Sequence, residues 1–144
     1  MNRIVSAVLL YATAALLAFD GVMHSVLWGW KGVGAIRYAT TLLLANNEKL
    51  KVPWTAPFGE ELKVLWLADS ANLVTVATIC LVGAAMPRHT PPIVLALVAV
   101  IPGALAVLLY IYGAPMYVAN MMAAAAVMIL AAALLRALGA RHSD

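Results

Sequence analysis

Four long apolar stretches divide the chain, and none alternates apolar with polar residues as half-buried strands do. They cover about 4–27, 62–86, 93–112 and 116–138. Read as helices rising 1.5 Å per residue, each is long enough to cross roughly 30 Å of hydrocarbon. Breakers stand between them. Pro87 stops the second stretch, Pro91-Pro92 opens the third, and Gly113-Ala114-Pro115 makes an uncharged turn before the fourth. Pro102-Gly103, in the middle of the third, predicts a kink. The pattern predicts an all-α fold, an integral membrane four-helix bundle forming a single domain over 1–144. The segment 29–61 is the one long connection. Its apolar run 35–45 is too short to span and predicts a short interfacial helix, closed by Asn46-Asn47-Glu48-Lys49 and followed by Pro53 and Pro57. Trp28, Trp30, Trp54 and Phe58 suit a membrane–water interface. Arg3 followed by the apolar 4–19 looks like the start of a signal peptide, but apolar character resumes beyond Asp20 as far as Trp30, so a retained span is expected.

Composition strengthens this reading. Of 144 residues 65% are hydrophobic and 10% charged, and the mean hydropathy is +0.98, too little charge to coat a water-soluble domain. The expected location is a membrane, of the bacterial inner or cell membrane type, with the chain crossing it several times. The net charge of +3 is spread along the sequence, which gives no basis for nucleic-acid binding. Cys80 is the single cysteine, so no disulfide forms within the chain. Arg3, Arg88, Arg136 and Arg141 fall on the side of the termini, and Lys31, Arg37, Lys49, Lys51 and Lys63 on the other. The basic residues near the termini lie close to span ends, which favours termini on the inside.

Candidate chemistry lies where polar groups interrupt the apolar stretches. Asp20 and His24 are four residues apart, one turn apart on one helical face. In the second stretch Trp66, Asp69 and Asn72 recur at every third position. Counting from span centres, Asp20 and Asp69 each lie about 7 Å toward the long connection. A common depth is therefore expected, with His24 and Trp66 one turn further out. Tyr110, Tyr117 and Asn120 fall in the same half; the other half, with Cys80, Met128 and many alanines, reads as an apolar plug. Ionisable groups inside a span are costly and mark function. Two carboxylates in low dielectric cannot both ionise cheaply, so they suit general acid/base work, a relay of protons, or hydrogen bonding to a polar headgroup. In the catalytic version Asp20 and Asp69 act as acid and base and His24 shuttles protons. Trp66, Asn72, Tyr110, Tyr117 and Asn120 line the ligand. The plain alternative is that these groups only join helices, at about 1 kcal/mol or less per hydrogen bond. Haem would ask for further ligands, and His89 and His142 fall at the opposite end. Zinc would ask for three or four clustered ligands. No metal and no cofactor is expected.

The layout resembles the DoxX-like small four-helix membrane proteins. The residues that carry the likeness are Gly21 and His24 late in the first span, a long first connection, Asp69 early in the second span, and the basic turn Pro87-Arg88-His89-Thr90 before two more spans. It covers most of the chain. That family often has lysine after the glycine and glutamate in the second span, and both differ here. The resemblance implies a four-helix topology and, for some members, accessory work in quinone-linked redox systems. Two functional expectations follow. One is a polar pocket binding a lipophilic small molecule (a quinone, lipid or isoprenoid), in an accessory subunit or a homo-oligomer assembled through the alanine-rich face of the fourth span. The alternative is a membrane-embedded isomerase, cyclase or epoxide-opening hydrolase acting on a terpenoid or steroid. A carrier is disfavoured, because four spans show no internal repeat.

Overall fold

The computed structural model describes residues 2–45, 56–111 and 116–141, with side chains described over 2–23, 67–111 and 116–140. All regular structure among them is helical: α1 (Asn2–Ala45), α2 (Ala56–Ala85), α3 (Pro92–Val98), α4 (Val100–Ile111) and α5 (Met116–Arg141). Among the described residues, four stretches are long and apolar enough to cross a membrane, namely Asn2–Met23, Leu67–Ala85, Pro92–Ile111 (α3 and α4 together) and Met116–Ala140.

Two boundaries differ from the expectation. The run 35–45 is not a separate short helix but the end of α1, which continues through Gly29, Gly32 and Gly34. Each glycine costs about 1 kcal/mol relative to alanine in a helix, yet none removes a backbone donor, and no proline occurs in the chain before Pro53. Likewise α2 starts at Ala56 and not near 62, with Pro57 as its second residue, where a missing N–H costs nothing. Asn46-Asn47-Glu48-Lys49, Pro53, Trp54, Gly113-Ala114-Pro115 and His142 lie outside the described residues.

The helices do not pack simply in sequence order. α1 lies along α2 and α5, and α5 also packs on α3 and α4, while α2 meets α3 only slightly. The third stretch is interrupted at Ala99. Pro102 has no N–H for the carbonyl of Val98, one turn earlier, and its ring crowds that carbonyl. Regular bonding resumes where the Gly103 N–H donates to the Ala99 carbonyl at 3.1 Å.

Small and medium side chains fill the centre: Leu10, Ala14, Leu17, Val76, Ala77, Cys80, Ala125, Ile129 and Ala132 are buried. Larger apolar groups point outward, with Ile4, Ile93, Leu97, Ile111 and Val127 all more than 60% exposed. Small residues inside let helix backbones approach, and an apolar exterior is the arrangement suited to lipid. Threonines in these helices satisfy their hydroxyls locally: Thr13, Thr75 and Thr78 each donate to the carbonyl four residues earlier at 2.8 Å.

Candidate functional site

The buried face of α1 follows a spacing of four and three. Ser6, Leu10, Thr13 and Leu17 are buried, and Asp20 and then His24 hold the next positions of that row. On α2 the row Leu73, Val76, Cys80 and Gly83 is buried, and Asp69 is its next position toward the helix start. Both carboxylates therefore continue rows that face the bundle interior. Both are partly buried, and both are engaged in the surrounding fold.

Gly21 fixes how the two rows meet. A Cβ built on it would stand 3.0 Å from Val74 Cγ2, 3.1 Å from the Ser70 carbonyl oxygen and 3.4 Å from Leu73 Cβ. At the far end of the seam a Cβ on Gly83 would stand 3.4 Å from Leu10 Cδ1. Leu10 beside Gly83 and Gly21 beside Ser70–Val74 make the helices antiparallel and set their register. Asp69 is then level with about position 24 of α1, and Asp20 with about position 73 of α2. The expected common depth is thus displaced: the acids are offset by about one turn, roughly 6 Å along the seam. The cause is the close approach at Gly21, which sets the register by contact rather than by the centres of the apolar runs.

The remaining candidates divide between other places. Tyr110 of α4 donates a hydrogen bond to the Asn120 side-chain oxygen of α5, and both are exposed. That pair belongs to the α4/α5 seam and not to the α1/α2 seam. Tyr117 is 74% exposed. Asn72 is also exposed, since the inward row runs from Asp69 through Leu73 and leaves position 72 outside it. His24 and Trp66 are helical residues of α1 and α2, and their side chains lie outside the described ones. Among the described residues no group of three or more metal-ligating side chains occurs. A groove of about 370 Å³ between α3/α4 and α5, lined by Ala99, Gly103, Val107, Ala126 and neighbours, is apolar throughout and offers no polar anchor.

The half of the bundle away from the acids is apolar around Cys80, Ala125, Ile129 and Ala132, as expected, and a polar group closes its end. Arg136 of α5 donates from Nε to Ser6 Oγ at 2.8 Å, from Nη2 to the Gly83 carbonyl at 2.6 Å and from Nη1 to the Thr90 carbonyl at 3.3 Å. Ser6 in turn donates a hydrogen bond from its hydroxyl to the Ala132 carbonyl at 3.2 Å. One guanidinium so joins α1, the last turn of α2, the turn before α3, and α5. Gly83 is among the last residues of α2, whose carbonyls lack helical partners and carry the negative end of the helix dipole. The sequence signal was present, in that Ser6 and Arg136 are the polar interruptions nearest the two termini. Their meeting depends on α1 and α5 being antiparallel neighbours.

Comparison with protein-family models, with curated proteins and with solved structures finds no match to this chain.

Proposed function

We propose that this is a multi-pass membrane protein of the DoxX-like kind whose bundle holds a lipophilic small molecule by its polar head, near Asp20 and Asp69. The supporting observation is that these two carboxylates continue the inward rows of α1 and α2 in a bundle whose buried centre is mostly apolar. Charged side chains at such positions are costly and are retained where they hold a ligand or move a proton. A quinone, sterol or isoprenoid alcohol offers a polar group to hydrogen-bond and an apolar body to lie among helices. The test is mass spectrometry, with an absorption spectrum, of what co-purifies in mild detergent. A stoichiometric quinone, pigment, sterol or terpenoid that is lost in Asp20→Asn or Asp69→Asn supports the reading. Bulk phospholipid alone, the same in all three proteins, argues against it.

A catalytic version draws on the register, which sets Asp69 level with position 24 of α1, the place of His24. A carboxylate that orients an imidazole is a familiar acid/base couple. The reaction would be isomerisation, cyclisation or epoxide opening. The two versions part on Asp69→Asn: an enzyme keeps its ligand and loses turnover, whereas a binding subunit has no turnover to lose.

A further inference from the structure

The end of the bundle away from the acids gathers basic residues from three elements. Asn2 and Gly139 are neighbours there, a Cβ on Gly139 standing 3.8 Å from Asn2 Cβ, so the start of α1 lies against the end of α5. Arg136 reaches Ser6 and Thr90 from that corner. Arg3 is one residue short of a turn before Ser6, and Arg88 and His89 directly precede Thr90; all three are exposed. Three arginines and a histidine therefore belong to the same end of the bundle, Arg3, Arg88 and His89 each within three residues of a group that Arg136 bonds.

Among the described residues, no acidic side chain belongs to this cluster. The chain has six acidic residues. Asp20 lies 17 residues beyond Arg3 along α1, Glu60, Glu61 and Asp69 lie 14 or more residues before Gly83 on α2, Glu48 belongs to the connection between the two helices, and Asp144, the last position, lies outside the described residues. The groups that accept from Arg136 here are a hydroxyl and two backbone carbonyls, all neutral. The C-terminal dipole of α2 offsets about half a charge. A partly buried guanidinium held by neutral acceptors, with exposed Arg3 and Arg88 at the same end of the bundle, gives this end a positive charge at the level where a spanning bundle meets lipid headgroups.

We propose that this corner, formed by Arg3, Arg88 and Arg136, binds the phosphate of an anionic phospholipid headgroup. The proposal takes the bundle to be inserted in a membrane, as in the reading above, and is independent of the pocket near Asp20 and Asp69. Arg136 is held in place by its three hydrogen bonds and positions the corner, while Arg3 and Arg88, exposed and on long stems, close on the phosphate oxygens. The acyl chains then lie along the apolar exterior, where Ile4 is 72% and Ile93 65% exposed, next to the same turn and helix start.

The test is native mass spectrometry of the full chain in detergent micelles doped with equal phosphatidylglycerol and phosphatidylcholine. Phosphatidylglycerol is expected to be retained in preference. Arg3→Gln and Arg88→Gln should each lower that preference about fivefold, the factor corresponding to about 1 kcal/mol per basic residue near an anionic surface. These two exposed positions are used because Arg136 variants also lose internal bonds. Equal retention of the two lipids overturns the proposal, as does a preference that survives the double variant. So does inorganic phosphate that displaces the lipid at millimolar concentration, which would mark a site for a soluble anion. Asp20→Asn leaves the preference intact, so the pocket and the headgroup site fail or stand separately.

Discussion

The two ends of the bundle carry polar groups of opposite charge, each engaged in the fold. At the end that holds the termini, Arg136 donates to a serine hydroxyl and two carbonyls, and its charge works as a fastener between helices. At the end toward the α1–α2 connection, Asp20 and Asp69 continue inward rows on two helices that are already held together by the close approach at Gly21. Removing the arginine undoes connections between four parts of the fold. Removing either carboxylate leaves the α1/α2 contact at Gly21 standing. A polar group in an apolar bundle can therefore be assigned by asking whether the helices need it in order to meet.

The largest effect is expected from Arg136→Ala. It leaves the Gly83 and Thr90 carbonyls without their donor and takes away the partner of Ser6, at a cost of about 2–4 kcal/mol. Thermal unfolding in detergent, followed by size-exclusion chromatography, should show a large loss of the folded species. Arg136→Lys should recover only part of it, because an ammonium cannot span three acceptors as the planar fork does. Stability unchanged in Arg136→Ala would remove the contrast between the two ends.

A smaller effect is expected at the seam below the acids. In Gly21→Ala the new Cβ meets Val74 Cγ2 at 3.0 Å and the Ser70 carbonyl at 3.1 Å. Val74 is 42% exposed and its side chain can turn aside, but the carbonyl belongs to the backbone and cannot. Alanine's better helix propensity offsets about 1 kcal/mol of the crowding, so a net loss of about 1–2 kcal/mol is expected. The same spreading should shift the α1 and α2 rows against each other and weaken retention of any pocket ligand. Gly103→Ala serves as the control: its Cβ would lie 3.6 Å from Ala126 Cβ, an ordinary contact, and should cost nothing from crowding.

Much of this was legible in the sequence, for identifiable reasons. Four apolar runs separated by Pro87, Pro91-Pro92 and 113–115 define four helical stretches almost without tertiary information. The irregularity near Pro102 follows from one missing N–H. The continuity of α1 through Gly29, Gly32 and Gly34 was not legible, because glycine weakens a helix without forbidding it, and the local pattern cannot say which outcome prevails. The depth of Asp69 relative to Asp20 was not legible either. It depends on which residue of α2 lies beside Gly21, a contact between helices. Arg136 read as an ordinary basic residue at a span end, since its three acceptors come from parts of the chain 46 to 130 positions away.

The smallest change in stability, and the sharpest contrast, is expected from Asp20→Asn and Asp69→Asn. Asparagine keeps the shape and most of the hydrogen-bonding capacity of aspartate while removing a charge that is costly to hold between apolar helices. The balance for folding is expected to lie within about 1 kcal/mol of zero. Function should respond differently: a pocket that recognises its ligand through a carboxylate loses occupancy in one or both variants at unchanged thermal stability. The pair also reads the offset between the two positions. Asp69 is level with position 24, and Asp20 lies about one turn further into the bundle. A headgroup held at the outer level depends on Asp69 far more than on Asp20, and one held deeper depends on Asp20. If both variants unfold as readily as Arg136→Ala, the acids are fasteners too, and the two ends of the molecule work by the same rule.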